Sequence, residues 1–244
     1  MSNKFWSSLS SVLNVFFDQY QTIFLNACKS GDVEMVHVLL EFTDVDPSAN
    51  NNEAIIFASK KGHIAVVERL LQDPRVDPSD ENNSSICYAS LHGHIAVVDR
   101  LLQDKEKRVD PSAYKNHAIC EASRNGHIAV VDRLLQEDMV DPSDNNNIAI
   151  GMASENGHVA VVDRLLQDKR VDPSDNNNDA IRYASRNGHI AVVDILLQDS
   201  RLNLSVDNSS VIRGYSSGIR LASQNGHVAV VNRLLQDRRM APVM

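Results

Sequence analysis

One phrase recurs along this chain and limits what it can become. It reads Gly-His-Ile-Ala-Val-Val-Asp-Ile-Leu-Leu-Gln-Asp from Gly188 to Asp199. Near copies place glycine at 31, 62, 93, 126, 157, 188 and 226, in steps of 31, 31, 33, 31, 31 and 38 residues. A period this steady, with one helix-turn-helix unit per step, belongs to a chain that stacks small units side by side instead of wrapping one globular core. The expected fold is all-α: an α-solenoid of about seven stacked repeats with short connecting turns. The repeats fall near residues 20–51, 52–82, 83–115, 116–146, 147–177, 178–210 and 211–244. A hydrophobic fraction of 43% is enough to fill the interfaces between them.

The repeat at 178–210 shows the local logic. Asn178, like Asn52, Asn83, Asn116 and Asn147, stands just before a short apolar-periodic stretch and reads as the N-cap of a first helix. Ile181, Ala184 and Ser185 then share one side of that helix, and two of the three are small enough for a neighbouring helix to come close. Gly188 ends the helix where a positive φ is needed to reverse the chain. Ile190, Val192, Val193, Leu196 and Leu197 form the apolar face of a second helix, with Ala191, Asp194 and Gln198 outside. The Val-Asp-Pro-Ser that begins at Val45, Val76, Val109, Val140 and Val171 stops the second helix, because proline fixes φ and biases the preceding Asp to an extended shape.

The phrase Ala184-Ser-Arg-Asn-Gly-His189 with Ala191-Val-Val-Asp-Ile-Leu-Leu197 resembles the ankyrin repeat family over roughly Tyr20 to Leu235. Two departures stand out. The family's Thr-Pro-Leu-His opening is replaced by stretches such as Glu53-Ala-Ile-Ile56 and Asp179-Ala-Ile-Arg182, and the commonest period is two residues short of the family's usual one. A short turn is therefore expected in place of the protruding β-hairpin. Two interruptions also break the register: Lys105 to Arg108 adds two residues, and Leu202 to Gly218 reads as a loop seven residues longer than usual.

Composition narrows the function. A net charge of −8 argues against a nucleic-acid backbone as partner, which calls for clustered Lys and Arg. Three cysteines do not make a disulfide framework, and Cys87 and Cys120 share one column as small apolar residues, so an intracellular, cytoplasmic home is expected. Residues 1–19 read as an N-terminal capping helix segment, with Phe5, Leu9, Val12, Leu13 and Phe16 at helical spacing; Trp6 and the Phe16-Phe17 pair keep a docking helix as the alternative. Serines interrupt the apolar run, so neither a signal peptide nor a membrane span is expected there.

No catalytic, cofactor or metal site is expected. The histidines at 63, 94, 127, 158, 189 and 227 recur one per repeat, on the order of 10 Å apart, whereas zinc ligands must reach within ~2.1 Å of one ion. They read as hydrogen-bonding residues at the start of the second helix. The columns Asp99, Asp132, Asp163, Asp194 and Arg100, Arg133, Arg164 read as exposed ladders between neighbours. No phosphate-binding glycine loop or nucleophile elbow appears.

Information lies where the copies disagree. Columns fixed by packing cannot encode a partner, and columns free to vary can. One first-helix column reads Asn26, Phe57, Tyr88, Glu121, Met152, Tyr183, Leu221, and the residues before each glycine vary with it. The resemblance places these on the concave face of the stack. Phe57, Lys60, Lys61, Tyr88, Arg124, Met152, Tyr183 and Arg186 are the expected partner-binding set, since aromatic and Arg side chains are favoured interface anchors. The expected function is a non-catalytic, monomeric module that binds a protein partner; an adaptor docking through the N-terminal helix is the alternative.

Overall fold

Residues that favour helix alternate here with Asp-Pro-Ser and Asn runs that do not, and the backbone follows. The computed structural model describes residues 18–104, 106, 108–202 and 209–237. The described elements are α1 (18–30), α2 (Val33–Phe42), α3 (Ala49–Lys61), α4 (Ile64–Leu70), α5 (Asp80–Leu91), α6 (Ile95–Leu102), α7 (Ala113–Arg124), α8 (Ile128–Leu134), α9 (Asp144–Glu155), α10 (Val159–Leu166), α11 (Asp175–Arg186), α12 (Ile190–Gln198), α13 (Ser209–Gln224) and α14 (Val228–Leu235). The chain divides into two units, Met1–Asp110 and Pro111–Met244. In the first, α3 packs on α5, and α4 lies between α2 and α6. In the second, α7, α9, α11 and α13 form one row and α8, α10, α12 and α14 another. Each unit is thus a two-layered stack of helical hairpins, as the periodicity requires. Apart from residues 18 and 19, the segment expected as a cap lies outside the described residues.

Burial follows the repeat. Val161, Val162 and Leu165 of α10 are at most 1% exposed, as are Val192, Val193 and Leu196 of α12. From the first helices Ile150, Ala153, Ile181 and Ala184 meet them at the same level of burial. A helix of 7 residues such as α4 has no stability of its own. What holds it is Val66, Val67 and Leu70, all fully buried, each contributing about 1.5–3 kcal/mol by leaving water.

The connecting turns depart from the sequence reading. Asp46, Asp77, Asp141 and Asp172 each accept, through Oδ1, bonds from the backbone N–H and hydroxyl of the Ser two residues on. The proline between them is buried. Three consecutive left-handed residues follow in five repeats, with φ between 49° and 63°: Asn50 to Asn52, Glu81 to Asn83, Tyr114 to Asn116, Asn145 to Asn147 and Asn176 to Asn178. Left-handed backbone costs a residue with a Cβ about 1–2 kcal/mol, least for Asn, and 12 of these 15 residues are asparagine. No strand occurs among the described residues, and this left-handed turn occupies the place where the β-hairpin was expected to be missing.

The third asparagine is not an N-cap. Its side chain, 0–8% exposed, turns away from its own helix. Oδ1 accepts the backbone N–H of the next repeat's Asp-Pro: Asp77 onto Asn52 at 2.8 Å, Asp110 onto Asn83 at 2.7 Å, Asp141 onto Asn116 and Asp172 onto Asn147 at 2.9 Å. Nδ2 donates to a carboxylate there: Asn52 to Asp80 at 2.9 Å, Asn116 to Asp144 at 3.1 Å, Asn147 to Asp175 at 2.8 Å. A cap would have served one helix; this residue ties two repeats together.

Both interruptions find a physical account. The seven residues expected in a longer loop instead extend a helix backward, since α13 begins at Ser209, seven residues before Ser216, the counterpart of Asn178. That stretch lacks the Asp-Pro and Asn run that breaks the other helices. The two-residue insertion sits inside an arginine contact that it leaves intact. Arg75, Arg170 and Arg201 each pair with the Asp two residues earlier, at 2.6–2.7 Å, whereas Arg108 pairs with Asp104 four residues earlier, at 3.0 Å. All four then donate backward to a carbonyl of the preceding repeat, on Val45, Val76, Val140 and Val171.

Candidate binding surface

A surface that recognises a partner needs side chains that reach solvent and a backbone that is held in place. The column two residues before each glycine meets both needs. Its backbone carbonyl accepts a hydrogen bond from the next repeat's histidine Nε2–H: Lys29 from His63 and Lys60 from His94 at 3.1 Å, Arg124 from His158 and Glu155 from His189 at 2.9 Å. A carbonyl only accepts, so Nε2 carries the proton. The histidines therefore bond to backbone as expected, but to the preceding repeat and not to their own helix. The same rings account for the glycines. Gly62, Gly126 and Gly157 have φ of +74° to +76°, and a methyl there would lie 2.5–2.6 Å from Nδ1 of His94, His158 and His189. The first requirement was visible in the sequence; the slot for a ring from the next repeat was not.

The expected binding residues fall into two groups, one in each unit. In the first, the Nζ of Lys29 lies over the Phe57 ring at 4.0 Å and that of Lys60 over the Tyr88 ring at 5.0 Å, each joining one repeat to the next. Lys61 is exposed beside them. In the second, Arg124, Met152, Tyr183 and Arg186 line one cleft of about 420 Å³. An Arg124 nitrogen lies 3.6 Å from the Met152 sulfur, and the Arg182 guanidinium sits 4.7 Å over the Tyr183 ring while pairing with Asp179. Sequence reading had Glu155 in a variable column but not in the binding set, and it missed Asn176 and Asp179 on the cleft wall. It also missed an adjoining cavity of about 290 Å³, lined by Tyr114, His117, Ile148 and Met152. The signal for that cavity was the single replacement of an Asn pair by Tyr114-Lys115, and Tyr114 is 73% exposed in left-handed backbone.

The other columns hold structure together. Arg164 pairs with Asp132 at 2.6 Å and Arg233 with Asp194 at 2.5 Å, each between adjacent repeats, so the Asp and Arg columns do pair as ladders there. Arg133 also pairs with Glu137, in the turn just after α8, at 2.7 Å. Asp73, Asp104, Asp168 and Asp199 are held below the ordinary carboxylate range, first by the side-chain bond from their arginine partners. Cys120 is buried and Cys87 half-buried, while burial pushes the Cys28 thiol up to about 12 and keeps it protonated. No group of His, Cys, Asp and Glu able to hold a metal ion occurs among the described residues. Nor is any described helix long and apolar enough to cross a membrane.

The likeness to known proteins follows the same repeats. No curated protein matches the chain by sequence. Among solved structures, the human ASB11 ankyrin repeat domain superposes with a TM-score of 0.73 at 19% identity, covering 91% of this chain and 99% of that one. At that identity the likeness is one of fold. The family described as ankyrin repeats in three copies matches residues 9–82, 24–115, 119–210 and 152–242, and its repeats generally serve as protein–protein interaction modules. With its helical hairpins, its glycine turns and that match along nearly its whole length, the chain belongs to the ankyrin repeat family.

Proposed function

We propose that this protein is a non-catalytic, monomeric, cytoplasmic module that holds a partner protein against the variable columns of its first helices, on the concave side of the repeats. The observation that carries this reading is the cleft that gathers Arg124, Met152, Tyr183 and Arg186, four side chains from three successive repeats that no packing rule requires to be there. Met152 and Tyr183 supply half-buried apolar anchors, and the two arginines are exposed. The mechanism is preorganisation. The carbonyls of Arg124 and Glu155 are already fixed by His158 and His189, so a partner meets a surface whose ordering cost fell due on folding. Affinity capture from the native cell with a Met152→Ala/Tyr183→Ala chain tests it. The module reading expects specific partners of the unmodified chain to be lost, because truncating an interface anchor weakens binding by about 2 kcal/mol or more. Unchanged capture by the folded double variant would refute it.

A further inference from the structure

The first unit carries ten Lys and Arg against sixteen Asp and Glu, yet its variable columns gather cations. Lys29, Lys60 and Lys61 lie in the last turns of α1 and α3. Among the described residues, the one carboxylate within 4 Å of these ammonium groups is Glu53, 3.8 Å from Lys29. A lysine in a last helical turn is ordinarily explained by the helix dipole. That explanation does not hold for this column, since α5 ends on Leu91 and α9 on Glu155 at the same position. The ammonium groups are also placed. Lys29 and Lys60 are laid across the Phe57 and Tyr88 rings, while their backbone carbonyls are held by His63 and His94. Rings beneath and a fixed backbone reduce the freedom these side chains would lose on meeting an anion.

We propose that this face of the first unit docks an acidic segment of a partner protein, its carboxylates set against Lys29, Lys60 and Lys61. The proposal rests on the variable columns being a binding surface and adds the chemistry of what this part of them accepts. Geometry also sets a spacing. Neighbouring helices pack about 8–10 Å apart, and a polyproline II segment brings every third side chain back to the same side after about 9 Å. Acidic residues three apart therefore match lysines one repeat apart.

The test is fluorescence anisotropy of the full chain with a synthetic peptide of repeated Glu-Pro-Ser, beside a peptide of the same composition with its glutamates adjacent. The spaced peptide is expected to bind better. Its binding should weaken about tenfold or more in a Lys60→Glu/Lys61→Glu chain, survive Lys60→Arg/Lys61→Arg, and be unaffected by Lys169→Glu, an exposed lysine of the second unit outside the variable columns. On the unmodified protein, raising ionic strength from roughly 0.05 to 0.3 M should weaken it too, which needs no variant to fold. The proposal is overturned if neither peptide binds saturably, if charge reversal in a folded chain changes nothing, or if a single-stranded oligonucleotide binds the same lysines more tightly. If the peptides fail while proteins are still captured through Met152 and Tyr183, the acidic-segment proposal falls and the module reading stands.

Discussion

Glycine at the helix junction answers to two constraints, and the molecule contains the comparison that separates them. Gly157 and Gly226 share a φ of +76°, but a methyl on Gly157 would meet His189, whereas one on Gly226 would meet nothing within 4 Å among the described residues. Gly226→Ala should therefore cost about 1 kcal/mol, the left-handed penalty alone. Gly157→Ala should cost about 3 kcal/mol, because the ring and its bond to Glu155 must also shift; urea unfolding of the two variants measures the difference. A second column is over-polar. Ser59, Ser90, Ser123 and Ser154 are fully buried, and their hydroxyls find no partner among the described residues, whereas Ser185 of the same column donates to the Ile181 carbonyl at 2.6 Å. The first repeat has Cys28 in that column, so the site accepts an apolar group. Ser154→Ala should then stabilise by up to about 1 kcal/mol in the same assay.

Among elements, the left-handed turn is the one that ties each repeat to the next. Asn147 carries two bonds to the next repeat from a buried position, and Asn147→Ala should cost about 2–3 kcal/mol by leaving an N–H and a carboxylate without their partner. Asn146 is exposed, and the test of backbone strain falls there: Asn146→Gly should leave the unfolding midpoint near its starting value, while Asn146→Val should lower stability by about 1–2 kcal/mol. This is also the element least legible beforehand. The helices were readable because a Val-Val-x-x-Leu-Leu face has one low-energy way to hide its apolar side. The turn was not, because an Asn run is compatible with a cap, a β-turn or a left-handed turn, and which one forms depends on a partner 25 residues away. The arginine contact at Arg75, Arg108, Arg170 and Arg201 was hidden for the same reason, and the two-residue insertion disguised its column further.

Across the whole molecule these contacts titrate together. Asp73, Asp104, Asp168 and Asp199 have folded-state pKa values lowered by their arginines. Such groups contribute stability that is complete above the ordinary carboxylate range and lost as pH falls through the lowered values. The melting temperature should hold level above about pH 5 and fall below about pH 4. Replacing Arg75 and Arg170 by methionine, the residue at 139 in the corresponding place, should lower the plateau and flatten the fall. The candidate surface was legible only in outline. Variation between copies singled out its columns, but nothing in one sequence says that Arg124, Met152, Tyr183 and Arg186 share a cleft, because that depends on the rotation between repeats. Nor could it say that histidines of constant columns fix the backbone of the variable ones.

The account rests on a division of labour in which invariant columns bind repeat to repeat and variable columns bind a guest. Its most direct test is photo-crosslinking in the native cell, with a photoreactive phenylalanine placed at Tyr183 on the variable face and, separately, at Asp163 on the exposed side of α10. Covalent capture of a defined protein from position 183, absent from position 163, is the predicted result. Equal capture from both, or capture from 163 alone, would contradict it.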